Sequence, residues 1–163
     1  MAELPSVYIE TSLLSYLASR PSGDLIVAGH QHLTRQWWNS QRLDYRFFVS
    51  QLVTDEAARG NPDAARRRLE IAAGMEIIDV DEESIRLSKK ILKSGIIPCR
   101  AGTDAAHVAV ATRHRITYLA TWNCRHIANA AILRRLAALP SEDGYELPII
   151  CTPYELFGEY TPL

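Results

Sequence analysis

What the 163-residue sequence lacks narrows its chemistry before any motif is considered. Its three cysteines, Cys99, Cys124 and Cys151, lie far apart and form no CxxC pair, which argues against a zinc knuckle or a disulfide framework and for reduced thiols. No apolar run reaches the roughly 20 residues of a membrane span. The start, "MAELPSVYIE", lacks the basic-then-apolar pattern of a signal peptide, so the expectation is a cytoplasmic protein with no membrane partner. A net charge of -1 argues against coating nucleic acid by charge alone, although a local basic groove stays possible. The turn after the first apolar run, "IETSLLSY", contains no glycine, so neither the GxGxxG fingerprint nor a GxxxxGKS/T phosphate loop is present. There is no GxSxG elbow for a serine hydrolase. His30 and His32 form an HxH pair, but residues two apart on a helix point in different directions and make a poor metal site.

What is present is an alternation of strand-like and helix-like segments. "SVYIE", "YRFFVS", "MEIIDV", "TYLAT" and "PIICT" are short, rich in β-branched or aromatic residues, and several are apolar almost throughout, as strands buried on both faces tend to be. Helical patterns separate them: "SLLSYLAS", "DLIVAGHQHLTRQWWNSQ", "LVTDEAARG", "PDAARRRLEIAAG", "DEESIRLSKKILKSG", "TDAAHVAVATRHR" and "CRHIANAAILRRLAAL". In the second of these, Ile26, His30, Leu33 and Trp37 fall on one helix face. Asp81 and Asp104 suit helix starts, and Gly60, Gly74 and Gly95 suit helix stops. Repeated β-α alternation without hairpin-length turns predicts a three-layer α/β/α sandwich with a parallel sheet, as one domain over residues 1–163 with an extended helical segment at about 20–42.

A parallel sheet binds its ligand beyond the carboxyl ends of its strands. Those ends carry oxygen ligands here. Strand one finishes on Glu10, followed by Thr11 and Ser12; strand four runs into Asn123; Glu56 lies in the helix after strand two; Asp104 opens the "TDAAHVAVA" helix. Each has an ordinary alternative reading: a solvated strand-end charge for Glu10, an N-cap for Asp104, a cap or turn residue for Asn123, a surface acid for Glu56. Together they form a cluster in which uncompensated carboxylates would repel. A hard divalent cation removes that conflict, and Mg²⁺ or Mn²⁺ prefers carboxylate, amide oxygen and water.

In order, "YIETS", "VSQLVTDEAARG", "GTDAAHVAVAT", "YLATWNCRHIAN" and "IICTPYEL" resemble the PIN-domain ribonucleases, especially the VapC-type toxins of prokaryotic toxin–antitoxin pairs, over nearly the whole chain. The resemblance implies a five-stranded parallel sheet in the order 3-2-1-4-5 and a Mg²⁺- or Mn²⁺-dependent endoribonuclease leaving 5′-phosphate and 3′-hydroxyl ends. It implies catalytic and metal-binding roles for Glu10, Glu56, Asp104 and Asn123, with Ser12 supporting the first-strand acid. It further implies a small antitoxin protein as partner and a homodimer. Two positions depart from the family pattern. Glu10 stands where aspartate is usual and is one methylene longer; Asn123 stands where aspartate is usual and is neutral.

Arg125 and His126, just past Asn123, are candidate contacts to the RNA phosphates, though they read equally as solvated residues at a helix start. Arg66–Arg68, Arg113–Arg115 and Arg134–Arg135 read as solvated helix faces more readily than as a groove. Trp37 and Trp38 could stack on bases, but at least one belongs to the apolar face. Two other readings stay open: a fold whose depleted acids bind RNA or a protein without cutting, and a receiver-like phosphoacceptor using Asp79 or Asp81.

Overall fold

The computed structural model describes residues 3–141 and 143–157, the side chains of residues 140 and 141 excepted. Five strands form one parallel sheet: β1 (Ser6–Ile9), β2 (Arg46–Ser50), β3 (Glu76–Ile78), β4 (Tyr118–Ala120) and β5 (Ile149–Cys151). Their order is β3-β2-β1-β4-β5, as the resemblance implies. β1 is central, with Val7 opposite both Phe47 of β2 and Tyr118 of β4. Its Val7, Tyr8 and Ile9 are fully buried, which is why this strand is continuously apolar.

The helices cover both faces: α1 (Thr11–Ala18), α2 (Leu25–Gln41), α3 (Gln51–Ala57), α4 (Pro62–Ala72), α5 (Glu82–Lys93), α6 (Gly102–Arg113), α7 (Ala130–Leu136) and α8 (Ala138–Ser141). α1 packs on α2 and α4, and α5 packs on α6. Their ends follow local chemistry. Asp81 caps α5 by accepting from the Ser84 N–H at 2.9 Å, and Gly60 and Gly95 adopt the left-handed conformation after α3 and α5. α6 is buried almost all round, from Ala105 through Thr112, because its alanines and valines let it lie close to the sheet.

Three local expectations are corrected. The stripe predicted on α2 does not hold at its start: Ile26 is 72% exposed, and the buried residues are Gln31, Thr34 and Trp37. Gln31 is drawn inward because its amide donates to Ser19 Oγ at 2.7 Å and to the Arg20 carbonyl at 3.1 Å, folding α2 back on the end of α1. The single helix predicted over "CRHIANAAILRRLAAL" is a turn followed by α7. The Asn123 carbonyl accepts the Ile127 and Ala128 N–H groups, and Asn129 starts α7 afresh by accepting from Ala131 and Ile132. Arg125 and His126 therefore lie in this turn rather than at a helix start. Asp104 is the third residue of α6 and not its cap; Ala101 precedes the helix, with no side-chain cap bond.

Candidate active site

Three chain segments meet beyond the carboxyl ends of β1, β2 and β4. β1 ends at Ile9, and Glu10 turns the chain into α1 while its carboxylate accepts the Ser12 N–H at 3.1 Å, an N-cap in which a glutamate does the work of aspartate. The same oxygen, Oε2, also accepts the Ser12 and Thr121 hydroxyls, the latter at 2.7 Å. Glu10 is 6% exposed and makes no ion pair among the described residues. Ser12 ties β4 to the same point, since its Oγ accepts the Trp122 N–H at 2.9 Å.

Glu56 stands near the end of α3, after β2. Its Oε2 accepts the Thr11 hydroxyl and lies 2.9 Å from His107 Nε2. Burial alone would raise the Glu56 carboxyl, but the hydrogen bonds from His107 and the Thr11 hydroxyl hold it below the usual value. The behaviour of this acid is therefore set by its donors. One ligand atom each from Glu10, Glu56 and His107 lies within 4.8 Å of the others. Among the described residues this is the group of three or more acidic, histidine or cysteine side chains gathered so closely.

The other two predicted positions both bond to His126. Asp104 Oδ2 lies 2.8 Å from His126 Nδ1, both side chains being about four-fifths buried. Asn123 Oδ1 accepts the His126 N–H at 3.0 Å, and the Asn123 N–H donates to Thr121 Oγ1 at 2.9 Å. Asn123 is thus the cap of the β4 turn, and its oxygen is engaged within that turn. Arg125 is exposed on the same turn.

His107 was not singled out in the sequence. The available signal was its position three residues after Asp104 on one helix face, as the sole large polar side chain amid "AAHVAVA". Beyond it, the Tyr8 hydroxyl lies 2.8 Å from His107 Nδ1 and 2.7 Å from Ser50 Oγ, all three residues being fully buried. Burial pushes the Tyr8 phenol far up, so it stays protonated.

Side chains at the margin have structural partners. Trp122 follows Thr121 and donates its indole N–H to Thr34 Oγ1 at 2.7 Å, while His30 of α2 stacks on its ring at 4.0 Å. His30 is thus occupied and His32 is exposed, so the two point apart. Trp37 is fully buried and Trp38 packs half-buried against Phe47. Arg67 and Arg68 donate to the Ala18 and Ala57 carbonyls, bracing α4 against the ends of α1 and α3. Asp81 is the α5 cap and pairs with Arg113 at 3.0 Å.

No family model and no curated protein matches the sequence. Solved structures do. The chain is similar to a chain of the VapBC2 complex of Rickettsia felis bound to a fragment of its promoter DNA, with TM-score 0.57 and 13% identity over 90% of this chain and 98% of that one. It is similar to a chain of DNA-bound VapBC from Salmonella typhimurium, with TM-score 0.52 and 15% identity over 91% and 98%. It is also similar to VapC20 of Mycobacterium tuberculosis, a toxin that cleaves the sarcin–ricin loop, with TM-score 0.50 and 17% identity over 69% and 86%. At these identities what is shared is the PIN-like α/β/α fold.

Proposed function

We propose that this chain is a divalent-metal-dependent endoribonuclease, the toxin of a toxin–antitoxin pair, with a small antitoxin protein and a second copy of itself as partners. The observation that carries the reading is the approach of the Glu10 and Glu56 carboxylates, within 4.8 Å at the strand ends, with no lysine or arginine ion pair to either among the described residues. Two carboxylates so placed repel, and a cation between them would add to what their hydrogen-bond donors already offset. The donor set is oxygen-rich and fits Mg²⁺ or Mn²⁺. Glu10 and Glu56 would hold the ion, with Asp104 supplying the third carboxylate, directly or through water. Bound there, the ion would lower the pKa of a coordinated water and offset charge developing on the phosphate.

The chain's own groups prepare this site. Ser12 and Thr121 hold one oxygen of Glu10, Thr11 and His107 hold one oxygen of Glu56, and in each carboxylate the other oxygen takes no hydrogen bond from a described residue. Asn123, with its carbonyl oxygen capping the turn, keeps its amide NH₂ to order a water or a phosphate oxygen. Arg125, exposed beside it, would meet the RNA backbone, as would the free edge of His126. The likeness in fold to VapC20, a toxin that cleaves the sarcin–ricin loop, supports this reading. The test is expression of the chain and of Asp104→Asn in a host, with growth and total RNA followed together. Growth arrest with RNA cleavage by the parent and neither by the variant is expected; intact RNA with a well-folded parent would instead favour a non-cutting binding module.

A further inference from the structure

The gathering of Glu10, Glu56 and His107 leaves two possible roles for the imidazole: a nitrogen ligand, or a donor that aims Glu56. We infer that His107 is a positioning residue, the end of a buried Ser50–Tyr8–His107 relay that fixes Glu56 and keeps the ion site all-oxygen. This rests on the metal-site reading above and deepens it.

The direction of the relay follows from its ends. His107 Nε2 faces a carboxylate oxygen at 2.9 Å, and an ionised carboxylate only accepts, so Nε2 carries the hydrogen. In the neutral ring Nδ1 is then an acceptor, and the Tyr8 hydroxyl at 2.8 Å donates to it. Ser50 Oγ, 2.7 Å from the Tyr8 oxygen, donates in turn. Every hydrogen in the chain has an acceptor, and the last acceptor is the charged one.

A metal on Nε2 would require the opposite polarity. Nδ1 would carry the hydrogen, Tyr8 would accept it and donate to Ser50, and the Ser50 hydroxyl hydrogen would need an acceptor. Ser50 is fully buried, and Tyr8 is its sole side-chain hydrogen-bond partner among the described residues. Reversal therefore strands a buried donor, an arrangement folded proteins avoid. With Nε2 committed to Glu56 Oε2, and with Thr11 on that same oxygen, Glu56 is held as Glu10 is held by Ser12 and Thr121: one oxygen pinned, one left over. Ligand sites of this kind gain affinity from outer hydrogen bonds even where those groups never touch the ion.

The test uses the full chain loaded with Mn²⁺, read by pulsed electron paramagnetic resonance for nitrogen coupling and by equilibrium dialysis for affinity. The expected spectrum shows bound Mn²⁺ without coupling to a coordinated imidazole nitrogen. His107→Gln, which can still point an N–H at Glu56, is expected to bind Mn²⁺ within about threefold of the parent; His107→Leu is expected to bind roughly 10- to 100-fold more weakly. Tyr8→Phe, which keeps the ring and removes the relay's middle hydroxyl, is expected to fall between them and serves if His107→Leu does not fold. A nitrogen coupling in the parent that vanishes in His107→Gln overturns the inference and leaves the metal-site reading standing. Equal Mn²⁺ affinity in the parent, His107→Leu and Tyr8→Phe overturns it as well. A parent that binds no Mn²⁺ overturns both.

Discussion

His126 and Asp104 meet at 2.8 Å across the gap between the β4 turn and the first turn of α6, joining the two segments that hold the third and fourth predicted site positions. Asp104 is the third residue of α6 rather than its cap, and its carboxylate reaches the β4 turn. The contact also gives His126 a role that its place beside Asn123 did not suggest.

If that pair orients Asp104 toward the proposed ion, His126→Ala should lower RNA cleavage by roughly 10- to 100-fold, the usual penalty for losing a hydrogen-bond partner of a metal-binding group. Single-turnover rates at saturating Mg²⁺ measure this. An unchanged rate would show that Asp104 needs no such support.

Arg125 is exposed and makes no ion pair among the described residues, so its charge is available to a phosphate. Arg125→Ala is expected to weaken RNA binding across all sequences and to reduce the slope of log affinity against log salt by about 0.7, one phosphate contact on a single strand. Filter binding of a cleavage-resistant RNA at several salt concentrations checks this. A slope identical to the parent's removes Arg125 from the interface.

Thr34 is fully buried and accepts the Trp122 indole N–H at 2.7 Å, so α2 braces the segment that leaves β4. Thr34→Val keeps the shape and removes the acceptor, stranding the indole N–H at a cost of about 1–3 kcal/mol. Urea unfolding of the two proteins compares them directly. Equal midpoints would mean that another acceptor, or water, takes over.

Glu56 is held below the usual carboxylate value: burial opposes ionisation, and His107 and Thr11 overcome it. Its folded-state pKa is depressed, so its contribution to stability is present above the unfolded carboxylate pKa and is lost as pH falls through the folded one. Thr11→Val removes one lowering donor, and its destabilisation relative to the parent should shrink toward the acid end of that range, where Glu56 is protonated in both. Denaturant unfolding from pH 6 downward reads it; a difference that grows on acidification has the wrong sign. Cys151 behaves oppositely. Burial, with the nearby Glu155 charge, pushes its thiol up to about 12, so it should resist thiol reagents at mild alkaline pH while exposed Cys99 reacts.

The sheet was readable because β1, β2 and β5 combine apolar, β-branched residues with clear turn signals, and the strand order followed from the family resemblance rather than from periodicity. β3 is a three-residue edge strand with Ile77 mostly exposed, marked in the sequence by the β-branched run of "MEIIDV" and its place in the alternation. The segment after Asn123 misled because a continuous helix and a capped turn followed by α7 present the same apolar spacing. Backbone acceptance at Asn123 and a second cap at Asn129 separate them, and neither is visible in spacing. On α2, nothing in the sequence pattern marked the polar Gln31 as buried; its partners on the α1–α2 loop turn it inward. At the site, chain order located Glu10, Glu56, Asp104 and Asn123 near the strand ends. Which oxygen each has to spare depends on Thr11, Thr121 and His107, contacts made across 45 to 111 residues of sequence.

The account turns on Glu10 and Glu56 sharing one divalent ion, and Mn²⁺ binding by the purified chain measures that most directly. Equilibrium dialysis should find a site in the parent whose affinity falls at least about tenfold in Glu10→Gln and again in Glu56→Gln, with RNA cleavage falling in step. Mn²⁺ affinity that is the same in the parent and in the doubly substituted protein, each shown to be folded, would contradict it.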